Sequence, residues 1–214
     1  MSANIKWDAI EQFIGYGNRH APVVFIGMEE GSATDEQLES NLIERSQYSQ
    51  IKDLEPRSTK LQSTWMHMCD LMLRKEGVGS PTAEDKRQYQ THRLGTLGGE
   101  TLMTELLPYP KRTRKDWPEL YKQRYPTHDE YIAEMVPRRH KLLRSIFTYE
   151  TRDLIVIYGK EHFERFHALF GSAWTSEPPF AHTTAFGARV LVSPHFTSSH
   201  FAKNKRRFFE LALG

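Results

Sequence analysis

Continuous apolar runs that end at turn residues predict three buried strands along this chain. The runs occupy residues 22–26, 153–158 and 189–192, and each is followed directly by glycine or serine. Short runs of this kind, rich in Val, Ile and Leu, are typical of strands buried on both faces of a sheet. A further run, residues 102–107, stops at a Pro-Tyr-Pro sequence and is a fourth candidate strand.

Apolar residues at helical spacing occupy the segments between these runs. The clearest stripe is Trp65, Met68, Cys69 and Met72, which recur at intervals of three and four residues. Helices are predicted over residues 5–16, 64–75, 131–147, 161–170 and 203–213.

Short buried strands that alternate with helices define the expected fold class. They predict an α/β protein: a single-domain α/β/α sandwich with a central, mostly parallel, four-stranded sheet. We expect one domain over residues 1–214, with a variable acidic segment at about 32–60. In such sheets a ligand binds beyond the carboxyl ends of the strands, so the segments after each strand are the places to search for chemistry.

Charge distribution is more informative here than total charge. The formal net charge is +2, but basic residues cluster at 111–115, 138–141 and 203–207, while acidic residues gather in 29–55. Clustered Lys and Arg favour a nucleic-acid partner. The chain has one cysteine, Cys69, which excludes an internal disulfide and a multi-cysteine metal site within one chain.

Targeting signals and metal motifs are not recognisable in the sequence. Residues 1–11 lack a signal-peptide pattern, and no apolar stretch approaches the ~18 residues that a membrane-spanning helix needs. We therefore expect a cytoplasmic monomer with no membrane partner. The ten histidines show no zinc-ligand spacing, so we expect no metal and no cofactor.

Two predicted strand ends carry chemistry. Gly27-Met28-Glu29-Glu30-Gly31 follows the first strand, and its glycines would let the backbone approach a ligand closely. The alternative is an ordinary polar loop with solvated acids. The segment 193–199 carries one histidine and several hydroxyls before a basic helix, a combination suited to phosphate. The alternative there is a helix N-cap with an incidental histidine.

Taken in order, these segments resemble the uracil-DNA glycosylase superfamily. The resemblance is carried by the glycine-bracketed loop 27–31, by the strand and Tyr-Gly-Lys of 154–163, and by Ser-Pro-His-Phe-Thr with its basic tail in 191–205. It touches most of residues 22–213 through short motifs. It implies an α/β/α fold and hydrolysis of the N-glycosidic bond of a base flipped out of DNA.

The resemblance also implies roles for individual residues. Glu29 takes the place of the water-activating Asn or Asp, with Glu30 as the alternative, and His195 faces the departing base. Base recognition falls to Glu105, with Met28 beside it and Tyr48 or Tyr109 as the stacking aromatic. One aromatic or histidine side chain, from Phe196, His200 or Phe201, would insert into the base stack as a wedge. The residues expected to contact DNA are Ser193, Thr197, Ser198, Ser199, His200, Phe201, Lys203, Lys205 and Arg206.

Departures from the superfamily pattern bear on substrate and mechanism. Glu30 and Phe196 stand where the superfamily has prolines, and Glu105 stands where an Asn reads uracil. Glu105 lies inside an apolar run, where it points either to a polar site or to solvent. An ionised carboxylate only accepts hydrogen bonds and would prefer an exocyclic amino donor such as cytosine N4. The predicted substrate is therefore a modified cytosine or another amino-bearing base. The resemblance also implies related enzymes that attack modified bases of bacteriophage DNA as host defence.

Three other functions stay open at this point. The chain could be a uracil-excising repair enzyme, in which Glu105 lies outside the pocket. It could be a catalytically silent relative that binds nucleic acid. It could also be an unrelated α/β hydrolase that acts on a nucleotide or a small glycoside.

Overall fold

Eight strands form one mixed sheet in the residues that the computed structural model describes, namely 5–31, 34–55, 60–113, 116–171 and 173–214. The strands are β1 (Gly15–Gly17), β2 (Val23–Gly31), β3 (Ile51–Lys52), β4 (Thr101–Lys111), β5 (Leu154–Tyr158), β6 (Thr175–Glu177), β7 (Phe180–Ala185) and β8 (Ala188–Ser193). Their order across the sheet is β3-β1-β4-β2-β5-β8-β7-β6.

Helices cover both faces of this sheet. They are α1 (Trp7–Gln12), α2 (Asp35–Arg45), α3 (Ser63–Lys75), α4 (Ala83–His92), α5 (Glu119–Lys122), α6 (His128–Thr148), α7 (Phe163–Phe170) and α8 (Ser199–Leu213). A 3₁₀ turn, Lys160–His162, precedes α7. Within the described ranges, none of these helices has the length and apolar character needed to cross a membrane.

The α/β class is confirmed, but the predicted four-stranded sheet is wrong. Strands β4, β2, β5 and β8 do lie side by side and run parallel. Further short strands extend both edges, and β1 on β4, β7 on β8 and β6 on β7 pair antiparallel. Sequence reasoning missed these strands because they contain two, three or six residues and lie half-buried, so they lack a long apolar run.

The element bounds differ most at the carboxyl end of the first buried strand. Strand β2 continues through the segment predicted as a loop, with Glu29 opposite Leu107 and Gly31 opposite Lys111 on β4. The register shifts between Glu29 and Gly31, so pairing is irregular there. Strand β4 likewise continues through its two prolines to Lys111.

Helix α1 is shorter than predicted because a strand begins soon after it. Gly15 starts β1 with a φ of +156°, and a Cβ on it would lie 2.0 Å from the carbonyl oxygen of Met103. Only glycine lets the two backbones approach this closely. The predicted helix 5–16 therefore ends at Gln12.

The predicted acidic segment and the first basic run are described only in part. The acidic segment at about 32–60 contains α2 and β3, and its residues 32–33 and 56–59 lie outside the described ranges. Residues 114 and 115 of the basic run 111–115 lie outside them as well.

Two apolar layers, one on each face of the sheet, form the core. Along β2, Val24 and Ile26 face the layer that contains α6 and α7, while Val23 and Phe25 face the layer that contains α3 and α8. This alternation is the period of two that a strand imposes. Cys69, which is fully buried in the second layer, has a pKa raised by burial to about 12 and stays a thiol.

A buried carboxylate, Asp70, ties three helices together under the second layer. Its side chain on α3 accepts ion pairs from Arg74 at 2.8 Å, from Lys86 of α4 at 3.2 Å and from Lys205 of α8 at 2.7 Å. Burial raises the pKa of Asp70, but the hydrogen bonds and charges of these cations outweigh burial and the pKa ends below its ordinary value. Asp70 is therefore ionised at neutral pH.

Replacing Asp70 by Ala should lower the free energy of unfolding by about 3 kcal/mol, because the three partly buried cations around this carboxylate lose their shared counter-ion. Urea denaturation followed by circular dichroism measures the change. Asp153→Ala is the matched control, since Asp153 is 55% exposed in its pair with Lys75 and such surface pairs contribute less than about 1 kcal/mol. Equal effects of the two variants would contradict a central role for Asp70.

Candidate active site

A cavity of about 360 Å³ opens at the carboxyl ends of β2 and β4. Its walls come from the α1–β1 turn, from α2, from β3 and from the start of α3. The aromatic part of the wall consists of Phe13, Tyr16, Tyr48 and Trp65. The rest of the lining is largely charged or polar and includes Glu30, Glu44, Arg45, Lys52, Asp53, Glu55 and Glu105. A volume of this order with aromatic side chains in its wall suits a flat heterocycle, and the place is where parallel sheets bind ligands.

The carboxyl group of Glu105 lies in the floor of this cavity. Glu105 is on β4, directly opposite Gly27 of β2, and the hydroxyl of Tyr158 on β5 donates to its Oε1 at 3.0 Å. Its Oε2 is buried and has no hydrogen-bond partner among the described residues. Burial raises the pKa of Glu105 to about 7, and the hydrogen bond from Tyr158 opposes this only in part. Both protonation states are therefore populated near neutral pH.

Gly27 makes room for this carboxyl group. A Cβ at position 27 would lie 2.0 Å from Oε2 of Glu105 and 2.6 Å from the hydroxyl of Tyr158. Three neighbouring strands thus meet at one point, with glycine on the middle strand and polar side chains on the other two. The sequence indicated that Gly27 would permit close approach, and the group that approaches is a side chain of the protein itself.

A buried arginine on α6 fixes the backbone beneath the cavity. Arg139 donates to the carbonyl oxygens of Glu105 at 2.8 Å, Leu106 at 3.2 Å, Glu11 at 3.2 Å and Phe13 at 2.7 Å. Burial lowers the pKa of Arg139 to about 10, so it keeps its charge at neutral pH. Because these carbonyls belong to β4 and to the α1–β1 turn, Arg139 holds the floor and one wall together.

The two glutamates at the end of β2 have different surroundings. Glu30 lines the cavity and forms an ion pair with Arg45 of α2. Arg45 also donates to the carbonyl of Pro108 at 3.0 Å and lies over the ring of Phe13. This network joins α2 to β4.

Glu29 does not line the cavity. Its Oε2 lies 3.3 Å from Nζ of Lys111, which is itself 2.9 Å from Nε2 of His128. Burial lowers the pKa of His128, and the charge of Lys111 acts in the same direction. Of these two glutamates, Glu30 is the one that lines the cavity.

His195 lies on the far side of Tyr158 from Glu105. The two rings meet edge to face with centroids 5.8 Å apart, and Phe196 stacks on Tyr158 at 5.2 Å. The backbone N–H of Thr197 donates to Nδ1 of His195 at 3.3 Å. Nδ1 also lies 2.8 Å from Oγ1 of Thr197, a hydroxyl that can donate or accept. The backbone contact favours Nδ1 as an acceptor, with the ring proton on Nε2. His195 does not line the cavity but borders its floor through Tyr158.

The residues predicted to recognise a base fall in two places. Glu105 and Tyr48 line the cavity, and Nζ of Lys52 lies 4.2 Å above the Tyr48 ring. Tyr109 is fully buried in the core layer that contains α6 and α7, where its hydroxyl donates to the carboxylate of Glu11 at 2.7 Å. Met28 is buried in that layer too. Tyr109 and Met28 therefore cannot stack on a ligand in the cavity.

Some of the residues predicted to contact DNA are buried, and the others are exposed. Ser193 and Phe201 are fully buried, and Lys205 pairs with Asp70, so their side chains are used inside the protein. Phe196, the other aromatic considered as a wedge, is also buried at 1% exposure. Ser198 caps α8 by accepting from the N–H of Phe201 at 3.1 Å. The exposed members of the predicted set are Thr197, Ser199, His200, Lys203 and Arg206.

Sequence reasoning missed the roles of Tyr158, Trp65 and Arg139. Tyr158 is the last residue of a predicted buried strand, so the expectation that a ligand binds beyond the strand ends could have singled it out. Trp65 belongs to an apolar helical stripe, and Arg139 belongs to a basic run. Neither pattern distinguishes a residue that lines a cavity from one that packs in the core or lies in solvent.

Among the described residues, no group of three or more His, Cys, Asp or Glu side chains is arranged to hold a metal ion. Neither the protein-family models nor the curated proteins with which the chain was compared give a match.

Gly27→Ala should displace the carboxyl of Glu105 and lower the free energy of unfolding by about 1–3 kcal/mol, the usual cost of an added methyl in a filled space. Gly31→Ala is the matched control on the same strand, because a Cβ at position 31 would meet nothing within 4 Å. Urea unfolding of both variants measures the difference. If Gly27→Ala is as stable as Gly31→Ala, the close packing of Glu105 on Gly27 is contradicted.

Proposed function

We propose that the protein is a DNA glycosylase, which hydrolyses the N-glycosidic bond of a base turned out of DNA into the cavity. The observation that carries the proposal is the aromatic-walled cavity of about 360 Å³ with the Glu105 carboxyl in its floor. Enzymes that act on a base inside DNA extrude it into such a pocket, where aromatic rings stack on it and polar groups read its edge. A modified cytosine is the proposed substrate.

The chemistry requires an attacking water, and Glu30 is the proposed residue that orients it. Glu30 lines the cavity, and its ion pair with Arg45 holds the carboxylate in place. The water adds to the sugar carbon as the bond to the base breaks, and Glu30 accepts the proton that the water loses. The resemblance gives Glu29 this role, but the contact of Glu29 with Lys111 favours its neighbour.

DNA would lie across the carboxyl edge of the parallel strands in this proposal. His195, Thr197 and Ser199 follow β8 at that edge, and Lys203 and Arg206 project from α8 nearby. Hydroxyl and cationic side chains of this kind hold phosphates without reading sequence. His195, with a donor at Nε2, would contact the flipped nucleotide beside Tyr158.

One observation favours a second candidate, a hydrolase that acts on free nucleosides. Of the residues predicted to hold DNA, Ser193, Phe201 and Lys205 are engaged inside the protein. A small substrate would need only the cavity and not the basic surface. Release of a base from a free nucleoside as fast as from an oligonucleotide would favour this alternative.

Glu30→Gln should reduce excision by ~100-fold or more, because a positioned acid–base group contributes on that order. Glu29→Gln should retain most of the activity and serves as the matched control at the adjacent position. Abasic sites formed in oligonucleotides that carry different bases are measured by strand cleavage on a gel. A large loss of excision in Glu29→Gln, with Glu30→Gln still active, would show that Glu29 and not Glu30 orients the water.

Lys203→Ala and Arg206→Ala should each weaken DNA binding on all sequences and reduce the salt slope by about one unit per lost phosphate contact. Lys205→Ala is the informative comparison, since Lys205 pairs with Asp70 and lies over the ring of Phe209. It should lower stability and leave the salt slope unchanged. Binding titrations at several salt concentrations measure the slopes. Unchanged slopes in all three variants would mean that DNA does not bind along α8.

A further inference from the structure

Trp65 stands apart from the other aromatic side chains that line the cavity. The rings of Tyr16 and Tyr48 both contact Phe13, with centroids 5.2 Å and 5.9 Å from it. Trp65 lies on α3, a different element, and no aromatic ring of the described residues contacts its indole. The cavity wall therefore contains one cluster of three rings and one separate indole.

The three clustered rings have little surface left for a ligand. Phe13 is only 7% exposed, and the guanidinium of Arg45 lies over its ring, 5.4 Å from the centroid. Arg45 also donates to the hydroxyl of Tyr16 at 3.5 Å. Nζ of Lys52 lies over the Tyr48 ring at 4.2 Å. A base could stack on that face of Tyr48 only by displacing Lys52, which would cost the cation–π contact.

The indole of Trp65 is both accessible and firmly held. Trp65 is half-buried: it packs against the core layer that contains α3 and α8, and it lines the cavity. One turn further along α3, Met68 and Cys69 are fully buried, and Asp70 ties the helix to α4 and α8. A large ring on an anchored helix can bind a flat ligand at a low cost in conformational entropy.

The charges of the lining indicate that a base, and not a phosphate, enters the cavity. Arg45 is paired with Glu30, Lys52 lies 3.4 Å from Glu55, and Arg139 donates to backbone carbonyls. Each of the three cations in the lining is therefore already engaged. The carboxylates in the lining outnumber these cations, and they are Glu30, Glu44, Asp53, Glu55 and Glu105.

From these contacts we infer that the flipped base stacks on Trp65 and that the cavity selects planar aromatic bases. The inference rests on the proposed glycosylase function, of which it names the base-binding residue and the substrate class. Trp65 takes the role that the sequence assigned to Tyr48. Stacking of a base on an aromatic side chain typically contributes ~10-fold or more in affinity.

Tryptophan emission tests the contact directly, because a stacked base quenches an indole. Of the four tryptophans, the other three pack against the opposite core layer, and they are Trp7, Trp117 and Trp174. The probe is an oligonucleotide with 5-hydroxymethylcytosine on a 2′-fluoroarabinose, whose fluorine slows cleavage of the N-glycosidic bond. The matched probe carries a tetrahydrofuran abasic analogue at the same place.

Wild-type emission should fall with the base-bearing probe and not with the abasic one. Trp65→Phe should still bind the base-bearing probe, since Phe keeps a ring, but the fall should be absent. Equal falls with both probes, no fall with a bound base-bearing probe, or a fall that persists in Trp65→Phe would overturn the inference.

Affinity gives a second readout, which separates stacking from packing. Trp65→Leu keeps an apolar side chain without a ring, and it should lose ~10-fold or more of the preference for the base-bearing probe over the abasic one. Trp65→Phe should keep most of that preference, and Tyr48→Leu is the matched control that should keep it too. Loss in Tyr48→Leu, with the preference retained in Trp65→Leu, would move stacking to Tyr48 and overturn the inference. Circular dichroism checks folding, and the emission test does not depend on the Leu variant.

Excision measured on ordinary oligonucleotides separates this inference from the glycosylase proposal. Wild-type excision that is unchanged in a folded Trp65→Leu protein would overturn the inference and leave the proposal standing. Quenching of Trp65 by the free nucleoside 5-hydroxymethyl-2′-deoxycytidine, with no excision from any oligonucleotide, would support the stacking site and reject the DNA glycosylase.

Discussion

The meeting of three strands at Gly27 is the constraint on which the site depends. Glu105 and Tyr158 can join across the middle strand only because no side chain stands between them. The contact lies at the end of β5 and midway along β2 and β4, so it places a carboxyl group in a cavity floor while the apolar strands bury it. Burial then changes the chemistry of Glu105, because a carboxylate kept from water loses much of its solvation.

Arg139 fixes the backbone segments beneath this contact. Its guanidinium donates to carbonyl oxygens of β4 and of the α1–β1 turn, at distances of 2.7–3.2 Å. A planar group with five donors in a fixed fork is well suited to hold several backbone segments at once. A lysine could not make these four hydrogen bonds. Arg139, which the sequence shows only as part of a basic run, therefore has a structural role that depends on its shape as well as its charge.

Buried carboxylates organise the helices on the two faces of the sheet. Asp70 joins α3, α4 and α8, and on the opposite face Glu11 receives Arg124 and Arg138, each at 2.9 Å, together with the hydroxyl of Tyr109. These clusters engage two cations of the basic runs, Lys205 and Arg138. Fewer of these cations are therefore free for an external partner; on α8 the exposed ones include Lys203 and Arg206.

Sequence patterns determined the class of fold and the central strands, because apolar runs follow from local chemistry. They located Glu105, Glu30 and His195 near one edge of a parallel sheet. Only the tertiary structure decided which of these side chains share a cavity. Whether a polar residue at a strand end faces a ligand, a cation or the core depends on register, twist and the neighbouring helices. These are set by contacts between residues far apart in the chain, such as Gly27 with Glu105 and Asp70 with Lys205.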